Sequence, residues 1–301
     1  MKRSKMNPFA AMALLTAVVS FSASNALAVT YDAYIASTNP VGWWGMNETG
    51  VTTTTADLSG AYGAANNQAA VNLDLTYQGL GTNTISNQAG YVVSSGTNSA
   101  AYFDGTTNSG LYGHGAAPYD LAVTGAIYRY EPNGFAGEYW IKRDGDIAGL
   151  DSQRVVATRE YGFGFRQSDS MLHFTTFGKV DYFSTVSLPS DGNWHQIGFS
   201  FDGNVTMSFY IDGVTAGTAV GANGGIRTAL SPAANTINLG HRNTDSQHFK
   251  GTMDEAVLWG TQRTAEDFTA SYLAATTAIP EPAAALLGMF GLFGLLRRRR
   301  N

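Results

Sequence analysis

Paired carboxylates are the first chemistry to look for in an acidic, uncharged-turn-rich chain. Glycoside hydrolysis needs two carboxyl groups facing one sugar, and on a strand that requires alternate positions, as in Glu-x-Asp-x-x-Glu. No such run occurs, and Asp254 and Glu255 are adjacent, so a regular strand sends them to opposite faces. There is no Gly-x-Ser-x-Gly elbow and no His-Glu-x-x-His zinc pair. The five histidines, His114, His173, His195, His241 and His248, include no i, i+4 pair for a helical metal site. Cysteine is absent, which removes thiolate metal sites, disulfides and cysteine nucleophiles. The residues therefore predict a non-enzymatic protein whose histidines pack or hydrogen-bond.

The elements that must position any site are strands. Charged residues make up 14% of the 301-residue chain, well under the roughly 25% of an ordinary domain. There are 35 glycines, and the 44% hydrophobic content is enough to fill a core. From Trp194 onward, Ile197, Phe199 and Phe201 alternate with Gly198 and Ser200. Asp202-Gly203-Asn204 makes a turn; Val205, Met207, Phe209 and Ile211 alternate again, and Asp212-Gly213 turns into Val214. Period-two alternation broken at Asp-Gly is a β-meander with one buried face. Further strands are predicted at Ser99–Phe103, Glu138–Lys142, Gly162–Gln167, Met171–Phe177, Thr236–Gly240 and Met253–Trp259. Short helices are expected at Tyr31–Ser37 and after Thr264, which precedes Glu266 and Asp267 as an N-cap should. The stretch 60–97, rich in Asn, Thr and Gly, reads as irregular loops.

Both ends read as addresses. Lys2, Arg3 and Lys5 precede an apolar stretch from Phe9 to Phe21, and Ala26-Leu27-Ala28 has the small-x-small form of a cleavage site. Residues 1–28 are thus expected to be a secretory signal peptide. At the other end Pro280-Glu281-Pro282 leads into an uncharged run, 283–296, and then Arg297, Arg298, Arg299 and Arg300. As a helix that run spans about 21 Å, short of a hydrocarbon core of roughly 30 Å, and the arginines stay cytoplasmic. Residues 279–301 closely resemble the PEP-CTERM sorting signal of Gram-negative bacteria. The resemblance implies transient insertion of a single transmembrane helix in the inner membrane, recognition by an exosortase, and removal of the tail. Between the ends, residues 29–279 carry 11 basic and 22 acidic side chains. Such a body has no footprint for a nucleic-acid backbone.

Residues 29–278 resemble the laminin-G-like, concanavalin A-like jelly-roll family. The residues that carry the likeness are Tyr31-Asp32-Ala33-Tyr34, Gly42-Trp43-Trp44, Asp57-Leu58-Ser59-Gly60 and Tyr102-Phe103-Asp104-Gly105. Glu138-Tyr139-Trp140, Asp191-Gly192-Asn193-Trp194, Tyr210-Ile211-Asp212-Gly213 and Gly251-Thr252-Met253-Asp254-Glu255 continue it in order. The resemblance implies an all-β fold, two antiparallel sheets packed as a jelly-roll sandwich. It also implies that, as in some members, structural calcium could sit near the sandwich rim, for which the oxygen-bearing candidates are Asp57, Asp104 and Asp254; a plain turn is the simpler reading of each. Tyr112, Tyr119, Tyr128, Tyr130, Tyr161 and Tyr182 are candidate loop aromatics for stacking on sugar rings, while the five tryptophans are expected in the core. The expected function is an exported surface or matrix protein that binds carbohydrate or mediates adhesion. A purely structural matrix component and a polysaccharide-active enzyme are the alternatives. Mass spectrometry of the protein from its host should find both ends removed. A mature C-terminus still carrying Arg300 and Asn301, in cells with an active exosortase, would make the tail a simple anchor.

Overall fold

In the computed structural model the alternating run from Trp194 is a meander of three antiparallel strands. These are β12 (Trp194–Phe201), β13 (Thr206–Ile211) and β14 (Val214–Val220), closed at the two Asp-Gly turns. Described are residues 30–48, 54–56, 58, 75–78, 84–91, 99–106, 109–113, 134–158, 161–178, 180–221, 237–241 and 247–277. The signal peptide and sorting tail, with Ala26, Ala28, Pro280, Glu281, Pro282 and Arg297 to Arg300, lie outside them. Among the described residues no helix is long and apolar enough to cross a membrane.

The meander is one side of an eight-stranded antiparallel sheet. Next to β12 come β7 (Phe135–Arg143), β16 (Lys250–Trp259), β5 (Ser99–Asp104) and β4 (Thr84–Ala89), and β1 (Gly42–Trp44) also pairs with β16. The second sheet, again of eight strands, runs through β11 (Val180–Ser187), β10 (Met171–Thr176), β9 (Tyr161–Arg166) and β8 (Ser152–Ala157). It continues through β15 (Asn238–Leu239), β6 (Gly110–Gly113), β3 (Leu75–Gln78) and β2 (Thr54–Thr55). The fold is the expected two-sheet jelly-roll sandwich. The expected loop stretch 60–97 is corrected in part, because β3 and β4 lie within it and extend both sheets.

The core forms because every second residue of each sheet points inward. Phe135, Tyr139, Phe199 and Phe209 of the first sheet meet Tyr161, Phe163, Phe165 and Phe174 of the second. Phe163 and Phe174 approach Phe199 with ring centroids 4.8 and 4.9 Å apart. Burying an aromatic side chain of this size stabilises by about 1.5–3 kcal/mol, and tilted ring pairs add to it.

The outer face of the first sheet carries a second apolar layer beneath two helices, α1 (Tyr31–Ser37) and α2 (Ala265–Thr276). Thr264 caps α2 in a reciprocal box with Asp267, whose carboxylate accepts the Thr264 N–H at 2.8 Å. Phe268 of α2 stacks on Tyr210 at 4.0 Å, and Tyr272 stacks on Trp140 at 5.7 Å. Gly198 is the floor on which Phe268 rests: a Cβ there would lie 2.3 Å from the ring. Gly198→Ala should therefore lift α2 and lower stability by about 1–3 kcal/mol, the usual cost of overpacking. Thermal denaturation measures this, and an unchanged melting temperature would show that the helix does not depend on that contact.

Candidate functional site

One strand shapes the outer face of the second sheet. Along β9 the sequence Tyr161-Gly162-Phe163-Gly164-Phe165-Arg166 puts three aromatic rings into the core. The same alternation puts Gly162, Gly164 and Arg166 outside. The register sets Arg154 of β8, Gly164, His173 of β10 and Phe183 of β11 in one row across the sheet. Gly162, Thr175 and Asp181 stand in the next. On this face lies a trough of about 660 Å³, lined among others by Ser152, Arg154, His173, Phe177, Asp181 and Gln247, within the range of roughly 300–1,000 Å³ seen for small-molecule sites. Gly164 is fixed by close packing, since a Cβ would lie 2.0 Å from the Gln153 carbonyl oxygen. At Gly162 the absent side chain is replaced by the edge of Phe177 and the stem of Arg154.

The polar groups of the trough hold one another. Arg154, only 2% exposed, lies beside Gly162 and donates to His173 Nδ1 at 3.1 Å and to Gln247 Oε1 at 2.8 Å. A guanidinium can only donate, so Nδ1 is the acceptor and the ring proton sits on Nε2, facing Asp181 Oδ1 at 3.2 Å. Phe183 stacks on His173 at 4.4 Å and carries the Arg166 guanidinium 4.3 Å from its centroid. Burial, and then the Arg154 charge, push His173 down to about 4, so the imidazole is neutral at physiological pH. Ser152 Oγ lies 3.3 Å from the same Nδ1, which completes a Ser–His–Asp line. The Nδ1 lone pair already faces an Arg154 N–H, and an imidazolium beside that cation is disfavoured. The line is thus built to hold a proton on Nε2 rather than to take one from the serine.

The residues nominated from sequence fall elsewhere. Asp57 lies outside the described residues. Asp104 accepts Thr106 N–H and Oγ1–H, both at 2.8 Å, and so closes a turn. Asp254 is buried on the outer face of the first sheet, where it accepts the Tyr91 N–H at 2.8 Å. Asp104 pairs with Lys250, four residues along β16 from Asp254, so the two stand about 13 Å apart on the strand. They do not fit a single calcium ion. Among the described residues no group of three His, Asp or Glu is placed to hold a metal. The loop-aromatic reading is corrected for Tyr161 and Tyr182, which are core residues. Tyr119, Tyr128, Tyr130 and the Tyr112 side chain lie outside the described residues. Four of the tryptophans are buried, as expected, and Trp194 is partly buried.

The expectation that Asp254 and Glu255 face opposite ways is overturned by a bulge. The pairing of β16 with β7 slips between Asp254 and Ala256, and Glu255 has φ 51°. Both carboxyl groups therefore enter the layer beneath α1. Glu255 accepts from Trp43 Nε1 and Asn47, and Glu138 of β7 accepts from Tyr31 and Ser271 at 2.8 and 2.6 Å. Burial first, and then the neighbouring Asp254 charge, raise Glu255 well above the usual carboxylate range; burial likewise raises Glu138. This acid layer lies under the helices and not in the trough. Sequence alternation alone missed both features. The Gly-x-Gly spacing between aromatics in β9 was the available signal for the trough.

A laminin-G family model, described as the concanavalin A-like lectin/glucanases superfamily, matches residues 118–268, half of the chain. No curated protein matches the sequence. Among solved structures, Trypanosoma rangeli sialidase in complex with sialic acid is 12% identical with a TM-score of 0.52, over 88% of this chain and 39% of that one. The botulinum neurotoxin serotype G binding domain is 15% identical with a TM-score of 0.52, over 79% and 52%. Domain 4 of a GH43 extracellular arabinanase from Geobacillus stearothermophilus, in complex with arabinotriose, is 18% identical with a TM-score of 0.49, over 78% and 98%. The chain thus spans under two fifths of the sialidase and about half of the toxin domain. At these identities the likeness is one of fold.

The acid layer sets a pH dependence. A carboxyl group whose folded pKa is raised costs little at pH 4, where it is protonated in the folded state and mostly protonated in the unfolded one. It costs stability as pH rises past the unfolded value near 4.3. Glu255→Gln, which keeps an acceptor for Trp43, should raise the melting temperature at pH 8 and leave it little changed at pH 4. The gain should grow steadily as the pH rises from 4 to 8. Equal effects at both pH values would show that Glu255 is not held protonated by its surroundings.

Proposed function

Because the chain belongs to the concanavalin A-like lectin/glucanases superfamily, we propose that it is an exported, non-enzymatic carbohydrate-binding or adhesion module. It acts at the cell surface or in the extracellular matrix, and its saccharide site is the trough on β8 to β11. The observation that carries this reading is the trough itself. Its apolar wall, the half-buried Phe177, lines the trough together with hydroxyl, amide, guanidinium and carboxylate groups at Ser152, Gln247, Arg154 and Asp181. A sugar has the matching chemistry: an apolar C–H face for the ring, and hydroxyls that both donate and accept. The amino-terminal segment supports export, and the Pro-Glu-Pro, apolar and arginine tail supports handling by an exosortase before release or attachment.

A structural matrix role is the second reading, favoured by β14. That strand, Val-Thr-Ala-Gly-Thr-Ala-Val, has no charge, exposes Val214 and Val220, and pairs on one side only among the described residues. Its Ala216 carbonyl already accepts from Thr185 of β11 at 3.2 Å, so it is the exposed valines that offer an apolar surface to a further copy.

Binding of the full chain to immobilised polysaccharides, with calcium and with EDTA, tests the proposal. Retention on at least one polysaccharide in both buffers is expected, with Phe177→Ala weakening it about tenfold. Loss of stacking on one ring is worth roughly that much. No retention on any polysaccharide, together with concentration-dependent self-association, would favour the matrix role instead.

A further inference from the structure

Resting on the saccharide reading, we infer that the trough takes an uncharged glycan and rejects carboxylated or sulfated ones. The inference comes from where the charges stand. Arg166 is held by Asp169 through two N–H groups, Nε to Oδ1 at 3.0 Å. Arg143, just beyond the rim, is held by Asp146. Arg154 is directed at neutral acceptors, Gln247 and His173, and its charge stabilises the Asp181 carboxylate beyond the imidazole. The cations are therefore committed inside the wall or at its edge.

The anions are at the mouth. The side chains of Asp146 and Asp181 are 60% and 56% exposed, and Asp151 is exposed beside them. All three line the trough. Asp146 is offset by Arg143, so an incoming carboxylate or sulfate meets the charges of Asp151 and Asp181 before it reaches the buried guanidinium. It does so in the field of a body with 22 acidic and 11 basic side chains, which lowers the local concentration of anions. A hydroxyl meets no such penalty: it donates to Asp181 or Asp151 and accepts from Arg154, Gln247 or Ser168. Like-charge juxtaposition is an effective way to exclude a competitor that shares every other contact.

Titration calorimetry of the full chain in mild detergent tests this with matched probes. The neutral set is xylo-, cello-, galacto- and mannohexaose; the acidic set is oligogalacturonate and oligomannuronate of the same length. At least one neutral hexaose should bind, and the uronates at least about tenfold more weakly at low salt. The gap should narrow at about 1 M salt, where charges are screened within roughly 3 Å. It should also narrow in Asp151→Asn/Asp181→Asn. Phe177→Ala and Arg154→Gln should weaken the neutral ligand, with melting curves confirming that each variant is folded, and Asp151→Asn alone provides a rim variant that leaves the buried contacts in place. Uronates that bind as tightly as the neutral sugars, with affinity falling as salt is added, would overturn this inference while leaving the saccharide reading intact. Neutral binding unchanged in both Phe177→Ala and Arg154→Gln would overturn it too, because the ligand would then sit elsewhere. Failure of every probe to bind would remove the saccharide reading and this inference with it.

Discussion

Along β9, a strand can serve two faces only by giving them alternate residues, and here it gives one face rings and the other glycines. Phe163 and Phe165, with Tyr161, supply the rings against which Phe199 and Phe249 pack. The cost of that arrangement falls on the outer face, where Gly162 and Gly164 leave two positions without side chains. The neighbouring strands fill the gap from both sides. Arg154 reaches across from β8, His173 and Asp181 stand on β10 and β11, and Phe177 leans over Gly162. These flanking residues, not the glycines, give the trough on this face its polar surface.

The two outer faces of the sandwich solve opposite problems. The first sheet buries Trp43, Trp140 and Trp259 under α1 and α2, and with them three carboxyl groups. Those groups sit where ionisation is costly, and they are tied by Tyr31, Ser271 and Trp43. Such a layer orders the helices against the sheet. Both described helices lie on that face. The second sheet brings Arg154, His173 and Asp181 together in one hydrogen-bonded line and fixes the His173 tautomer through Arg154. A site whose groups are held by one another before a ligand arrives loses little freedom on binding.

Much of the fold was legible in the sequence, because period-two alternation and Asp-Gly turns are local signals. The meander from Trp194 to Val220 and both helices stand where these signals put them. What was not legible depends on register between strands distant in the chain. Asp254 and Glu255 share a layer only because β16 bulges against β7, and nothing local at those residues shows it. Tyr161 and Tyr182 looked like loop aromatics, yet each falls on an inward position once its strand is paired. The trough needed both kinds of information. The glycines of β9 are visible in the sequence, but Arg154, His173 and Asp181 come together only through three strand pairings.

A crystal structure of the full chain with a bound neutral oligosaccharide tests the central claim most directly. The account predicts a sugar ring against Phe177, with hydroxyls within hydrogen-bond distance of Arg154 and Asp181. A ligand seated against Tyr91 and Trp194, whose rings stack 6.1 Å apart on the opposite sheet, would contradict it, and would move the site from the trough to the helix-covered face.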